Sequence, residues 1–496
     1  MIQHCPVLIV LLPLTAALLC LLFSKFNKNL GSWLVIGSIA GSLACSLQVL
    51  HQTLTSGEAI HYWMGNWEPP LGIEFVIDPL SAVMAVLITF ISLMVAVYSK
   101  PFMRKEDWLH IGGYYTLYGL LTVGLCGMVI TGDMFNLYVY LEVMSLSGYG
   151  LIAMGGKKSM LAAFRYMLIG TIGASLYLIS VAYLYAMTGT LNMADLGERI
   201  MPYLSSPPFA LAVACLFIGF GIKMALFPLH GWQAGAYNFA HPGSAAFIAG
   251  VMSKVPAYAI IRFFFYIFGV NNPIISTALT VLGILGIGGV LIGSIMALAQ
   301  YDFRRMLAYS SVAQIGYIAI GLAIGNMYGF IGAVLHIINH AFMKSALFLV
   351  IGGIQYRFGE INLYRLGGLN KKMTLSTITV ILAALSMVGI PPTAGFFSKW
   401  YLMLGAYQGG QYFYIVILVI SSLLNAVYFF RILEQMFVQH EASLTEINRH
   451  EGKLGLPPEM AIPILCAGIG ILVLGFYSVD IVDDILKSGL PEVFLR

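Results

Sequence analysis

Charge is scarce in this chain. Charged residues make up 9% of its 496 and hydrophobic residues 59%, a balance that no soluble domain of this size sustains on its surface. Cysteine chemistry is missing too. The six cysteines, Cys5, Cys20, Cys45, Cys126, Cys215 and Cys466, lie in or beside apolar runs and none forms a Cys-x-x-Cys pair, so no iron–sulfur site, zinc site or disulfide framework is written. No GxxxxGK[ST] phosphate loop occurs, and the glycines sit inside hydrophobic runs rather than after strands. ATP-driven transport by this chain alone is therefore not expected. The first apolar run, MIQHCPVLIVLLPL, lacks a basic flank, and CLLFSK offers no small-residue cleavage site. It reads as a retained helix, not a secretory signal. The net charge of +4 says little about partners, and nothing points to nucleic acid.

What the chain does have is span-length hydrophobicity. Runs of about 20 apolar residues number roughly fourteen, starting near residues 4, 31, 76, 111, 133, 159, 209, 240, 275, 303, 328, 377, 411 and 459. An all-α polytopic membrane protein is expected. Its 53 glycines and 25 methionines suit close helix packing in lipid. With the N-terminus outside, alternate loops collect Lys25 and Lys28, then Lys100, Arg104 and Lys105, Lys157, Lys158 and Arg165, Arg304 and Arg305, Arg357, Arg365, Lys371 and Lys372, and finally Arg449 and Lys453. The opposite loops hold only Arg199, Lys487 and Arg496. That bias assigns the basic loops to the cytoplasmic face.

Two loops repeat a pattern. GTLNMADLG (189–197) and GEINLYRLG (359–367) agree as G-x-[LI]-N-x-x-x-L-G, the first after span six and the second after span eleven. Upstream, DMFNLYVYLEV from 133 and DFRRMLAYSSV from 302 each run on to a Gly-Tyr pair, Gly148-Tyr149 and Gly316-Tyr317, which aligns Glu142 with Ser311. An offset of five spans turns the second copy over, so the chain divides into a three-helix segment (1–110), a first inverted repeat (111–270), a second (271–440), and a C-terminal helix and tail (441–496). Inverted repeats of this kind hold their sites near midplane on interrupted helices. Pro228 in GIKMALFPLHGW and the Pro391-Pro392 pair in GIPPTAGFFSKW supply the interruptions, in spans seven and twelve.

An ionisable group at the bilayer centre costs about 2.5–3.5 kcal/mol on insertion scales, which makes each one a functional suspect. Glu142 is the only carboxylate deep in a span; it reads either as a proton carrier or as half of a structural ion pair. Lys223 lies one turn before Pro228, Lys254 sits mid-span in AGVMSKVPAYAII, and Lys399 follows the double proline. Snorkelling is the alternative for each lysine. In HIINHAFMKSALFLV (336–350), His336, His340 and Lys344 recur every four residues and share a helix face. The histidines read as proton relays between lysines or as interhelical hydrogen-bonding groups. Asp78 and Asp133 begin spans and read as caps; Arg262 and Arg431 read as snorkelling or structural.

Taken together, GDMFNLYVYLEVMSLSGYGLIA, GIKMALFPLHGWQAGAY, SKVPAYAIIRF, HIINHAFMKSALF and GIPPTAGFFSKW resemble the proton-translocating antiporter family over roughly residues 75 to 440. That family comprises the large subunits of Mrp cation/proton antiporters and the antiporter-like subunits of respiratory complex I and membrane-bound hydrogenases. The resemblance implies a prokaryotic cell membrane, partner subunits, no bound cofactor or metal, and transport of protons with Na+ as the exchanged cation. It makes Glu142 the fifth-helix glutamate and Lys223 the seventh-helix lysine of one half-channel. Lys254 becomes the central eighth-helix lysine, His336, His340 and Lys344 the eleventh-helix region, and Lys399 the twelfth-helix lysine. Lysine at that last position, with a chain ending soon after span fourteen, favours the D-type subunit of an Mrp Na+/H+ antiporter over a redox-driven relative.

Overall fold

A computed structural model of the chain describes residues 2–359, 362–363, 366–437 and 455–494. Arg365, Arg449, Lys453 and Arg496 lie outside these residues, as do all of residues 438–454. The described elements, in chain order, are α1 (Cys5–Phe26), α2 (Lys28–Ser56), β1 (Ile60–Trp63), β2 (Glu74–Ile77), α3 (Pro79–Met103), α4 (Trp108–Ile130), α5 (Met134–Ala153), α6 (Lys157–Thr188) and α7 (Met193–Arg199). They continue with α8 (Pro207–Met224), α9 (Gln233–Phe239), α10 (Pro242–Ile267), α11 (Pro273–Leu298), α12 (Phe303–Ala323), α13 (Met327–Phe358), α14 (Leu369–Lys372), α15 (Thr374–Val388), α16 (Ala394–Gln408), α17 (Tyr412–Phe437) and α18 (Pro458–Phe476).

Twelve of these helices are by themselves long and apolar enough to cross a membrane. The chain is a multi-pass helical membrane protein. Fourteen were expected; the two absent from the twelve are α5, which carries Glu142, and the element split into α15 and α16. Length and hydropathy alone thus stop short of the expected count where polarity or a break intrudes. The all-α expectation is qualified by a small antiparallel hairpin, β1 with β2, registering Ile60 with Ile77 and Trp63 with Glu74.

Caps place the helix starts. Asp78, Asp133, Asp302 and Asn326 each accept a hydrogen bond from a first-turn backbone N–H, at 2.8, 2.6, 2.9 and 2.9 Å, satisfying donors that would otherwise stay orphaned in an apolar medium. Asp133 bridges to Asn192 and Asp302 to Asn362, both antiparallel. The two look-alike loops are therefore fastened in the same way, each to the start of the helix that leads its Gly-Tyr pair.

Glycine permits close helix contacts. A Cβ on Gly316 of α12 would stand 2.6 Å from the Gly286 carbonyl and 2.8 Å from the Val290 nitrogen of α11, both backbone atoms that cannot swing aside. Elsewhere polar side chains join helix ends at a shared surface. Arg304 donates to the Ala240 carbonyl at 2.8 Å, Ser99 to that of Gly243 at 2.9 Å, and Arg104 pairs with Glu459. The end of α3 and the starts of α10, α12 and α18 therefore lie at one face of the bundle. At the opposite face, Arg262 grips Asp78 with both guanidinium nitrogens. This is an ion pair bracing α10 against α3, not a snorkelling cation.

Candidate functional site

Both expected breaks are present, and their freed carbonyls are taken up by named groups. Beyond α8, Ala225 adopts φ 62°, and the Ile222 carbonyl accepts from Trp232 Nε1 at 2.8 Å. Beyond α15, the last carbonyls, those of Met387 and Val388, accept from the Lys399 ammonium at 2.8 and 2.9 Å. Asn425 adds a bond to Met387 at 3.2 Å. A cation on the carbonyl end of a half-helix meets the negative pole of its dipole. Gly389 makes room for it: its φ is +93°, and a Cβ there would lie 2.9 Å from Lys399 Cδ.

All seven expected residues lie within the bundle. Lys223, Lys254, His336, His340, Lys344 and Lys399 are buried, and Glu142 is half-buried. None of the four lysines reaches a membrane surface, which removes snorkelling as their explanation. Glu142, Ser145 and Tyr149 follow one face of α5 at helical spacing. No direct ion pair joins Glu142 to Lys223. The ammonium donates instead to Ser145 Oγ at 2.6 Å and Tyr149 Oη at 3.2 Å, with the carboxylate within electrostatic reach. The ammonium is thus bonded to two hydroxyls of α5 and not to the carboxylate that the sequence pairs with it.

The second cluster is basic throughout. Lys254 donates to the Ala249 carbonyl at 2.5 Å, inside a π-helical stretch of α10, Ile248–Met252, a distortion common at functional sites. On α13, Lys344 donates to Leu307 O at 2.8 Å and Ser310 Oγ at 2.5 Å. His336 bonds Ser398 Oγ at 3.0 Å and Gln314 Oε1 at 2.9 Å, and stacks 5.3 Å from the Tyr317 ring. His340 lies 6.0 Å from the His336 ring, and neither of its nitrogens has a protein partner. Lys399 reaches Ser422 at 2.9 Å.

A shared motif links the clusters. Lys223 Nζ sits 5.7 Å from the centroid of Tyr149, and Lys399 Nζ 5.0 Å from that of Tyr317, the tyrosines of the two Gly-Tyr pairs. Each break-associated lysine therefore faces the corresponding aromatic ring.

Sequence reasoning missed what fills the space between Lys223 and Lys254. Gln233 donates to Tyr237 Oη at 3.1 Å, which donates to Ser253 Oγ at 3.3 Å, next in sequence to Lys254. Tyr149, Tyr166 and Trp232 pack in series, at 4.7 and 3.7 Å between centroids. The available signal was the i, i+4 spacing of Gln233 and Tyr237 just past the Pro228 break. Gln233 Oε1, Gln314 Nε2 and Asn339 Oδ1 are buried without protein partners, as is His340. Buried polar atoms of this kind are ordinarily satisfied by internal water.

Fold and site together define a class: a multi-pass helical membrane protein with two broken helices and a buried line of ionisable groups joined by hydroxyls and amides. A family model described as NADH:quinone oxidoreductase/Mrp antiporter, transmembrane, matches residues 131–425, and one for the N-terminus of complex I chain 5 matches residues 63–110. The chain belongs to this NADH:quinone oxidoreductase/Mrp antiporter family. It is 44% identical to the N-type NADH-quinone oxidoreductase subunit of Desulforudis audaxviator, covering 99% of both chains. With the D-type Na(+)/H(+) antiporter subunit of Alkalihalophilus pseudofirmus the identity is 31%, over 99% of this chain and 98% of the other. Among solved structures, an archaeal membrane-bound sulfane sulfur reductase, a respiratory membrane complex, matches with a TM-score of 0.90 and 27% identity, covering 99% of this chain and 98% of that one. The Mrp complex of Dietzia sp. DQ12-45-1b matches with 0.86 and 26%, covering 99% and 97%.

Proposed function

We propose that this chain is the proton-conducting subunit of a multisubunit Na+/H+ antiporter in a prokaryotic cell membrane. Ten of its fourteen spans form two inverted repeats, spans four to eight and nine to thirteen, with the N-terminus outside and the basic loops in the cytoplasm. The observation that carries the reading is the number of proton-holding groups enclosed in the bundle, four lysines and two histidines buried and Glu142 half-buried. Glu142 and Lys223 form the first half-path, and the Gln233–Tyr237–Ser253 chain leads towards Lys254. Water bonded to the bare nitrogens of His340 continues to His336, Lys344 and Lys399.

Each group does a distinct job. In a low-dielectric interior, the distance between a carboxylate and an ammonium decides how firmly the ammonium keeps its proton. Movement of Glu142 relative to Lys223 is therefore the gate of the first half. His340, with both nitrogens unclaimed by protein, can accept on one side and donate on the other. Sodium is poorly served here, since hard cations prefer oxygen ligands and this path offers four lysines, two histidines and one carboxylate. Na+ crosses elsewhere in the assembly.

A second reading keeps the same path but couples it to electron transfer in a respiratory complex. The 44% identity to a quinone oxidoreductase subunit and the likeness to the archaeal respiratory complex favour it. The discriminating experiment uses everted vesicles carrying the chain with its native partners. A pH change on adding Na+ without reductant or quinone is expected for the antiporter. Silence until a reductant is supplied would transfer the path to the redox-driven reading.

A further inference from the structure

One polar cavity takes no part in the path. It has a volume of about 420 Å³ and opens where α1 ends, α2 begins, α3 ends and α4 begins. Lys28, Asn29, Ser32, Trp33, Lys100 and Arg104 line it, and no carboxylate does. The volume falls within the ~300–1,000 Å³ common for small-molecule sites. Arg104 is paired with Glu459, whose carboxylate also acts on Lys100, and neither Lys28 nor Lys100 forms an ion pair with a described residue. Lys100 is held over the mouth by Trp33, whose ring centroid lies 3.3 Å from the ammonium.

The surroundings specify the ligand further. Trp33 is half-exposed at the level of the helix ends, where amphipathic rings mark the boundary between headgroups and hydrocarbon. On the two helices that meet near the cavity, α1 and α2, Leu22, Phe26 and Leu30 are exposed apolar residues. A site that is cationic at the interface and apolar just below it matches a molecule with a phosphate at one end and acyl chains at the other. We propose that this cavity binds the phosphate headgroup of an anionic phospholipid, with Lys28 and Lys100 as its counter-ions and the acyl chains lying along α1 and α2. Basic pockets between helices at a membrane surface recognise headgroups in this way. The site is separate from the buried ionisable line, so it stands whatever drives transport.

The test uses the purified native complex, with phosphatidylglycerol, phosphatidylcholine and inorganic phosphate as probes and native mass spectrometry as the readout. Each juxtamembrane lysine is worth about fivefold in affinity for anionic lipid, so K28Q or K100Q should weaken phosphatidylglycerol binding by about that factor, and the double variant by about 25-fold. Phosphatidylcholine binding should not change. A K157Q/K158Q variant, altered at another basic loop, should bind phosphatidylglycerol as the native complex does. Undiminished phosphatidylglycerol binding in the double variant would overturn the proposal. Displacement of the lipid by millimolar inorganic phosphate would overturn the lipid source. Loss of a partner subunit from the double variant, with lipid binding intact, would reassign the cavity to a protein interface.

Discussion

The two histidines on α13 should separate stability from transport. His336 makes two side-chain hydrogen bonds, to Ser398 and Gln314. His336→Leu deletes both and strands the Gln314 carbonyl oxygen, while Ser398 keeps its bond to the Gly395 carbonyl at 3.2 Å; at about 1 kcal/mol for each bond and ~1–3 kcal/mol for the orphaned group, the cost is roughly 3–5 kcal/mol. His340 makes no protein hydrogen bond. His340→Leu removes one ring stacking worth about 0.5–1.5 kcal/mol and two polar atoms that no protein group depends on, so it strands no buried protein donor or acceptor. His340→Leu should therefore leave the thermal unfolding midpoint of the purified complex near that of the native protein, while His336→Leu lowers it clearly. In everted vesicles, His340→Leu should nonetheless abolish proton movement. A His340→Leu complex of native stability that still moves protons at the native rate would refute the relay argument.

Other substitutions probe the remaining parts. Glu142→Ala and Lys223→Ala should each abolish exchange in vesicles while leaving the complex assembled on a native gel. Ser145→Ala removes the hydroxyl nearest the Lys223 ammonium and should slow exchange about tenfold, the equivalent of roughly 1.4 kcal/mol; an unchanged rate would show that the hydroxyl is a bystander. Lys399→Gln should stop transport without loss of assembly, because Asn425 still holds the Met387 carbonyl. Arg262→Ala strands Asp78 and should cost about 3 kcal/mol, the low end for a buried pair because both side chains keep some exposure. Arg262→Lys retains a charge and should leave transport intact, as vesicle assays would reveal. Gly316→Ala should lower the unfolding midpoint by forcing α12 away from α11.

The stripe of His336, His340 and Lys344 was legible because helical spacing alone puts residues four apart on one face, whatever the tertiary structure. Both breaks were legible as well, since proline removes a donor wherever it stands. The bonding of Lys223 to Ser145 and Tyr149, and not to Glu142, was not legible. It depends on the rotation of α5 against α8, which no residue in either segment determines locally. The Gln233–Tyr237–Ser253 chain was hidden for a related reason: its members are uncharged and look ordinary until packing buries them together. The π-helical turn before Lys254 left no mark in a sequence whose residues all suit an α-helix.

The two halves of the line differ in a way that bears on coupling. Glu142 is the one carboxylate within electrostatic reach of Lys223. The residue that the two Gly-Tyr segments align with it is Ser311, which is spent on the Leu307 carbonyl of its own helix. Lys254, Lys344, His340, His336 and Lys399 consequently act on one another as a set of bases with no described anion among them. The His336 and His340 rings lie 6.0 Å apart, and two like charges at that distance repel by roughly 3 kcal/mol at an effective dielectric of ~20, so a proton on one histidine opposes a proton on the other. A proton delivered to Lys254 should drive one off a neighbour, and titration becomes a property of the set, not of any member. Placing a carboxylate in the second half, as Ser311→Glu, would trap positive charge there. Exchange should then fall in vesicle assays even though every lysine and histidine remains, whereas Ser311→Ala should leave it unchanged. Equal rates in the two variants would mean that mutual repulsion within the basic set does not drive the transfer.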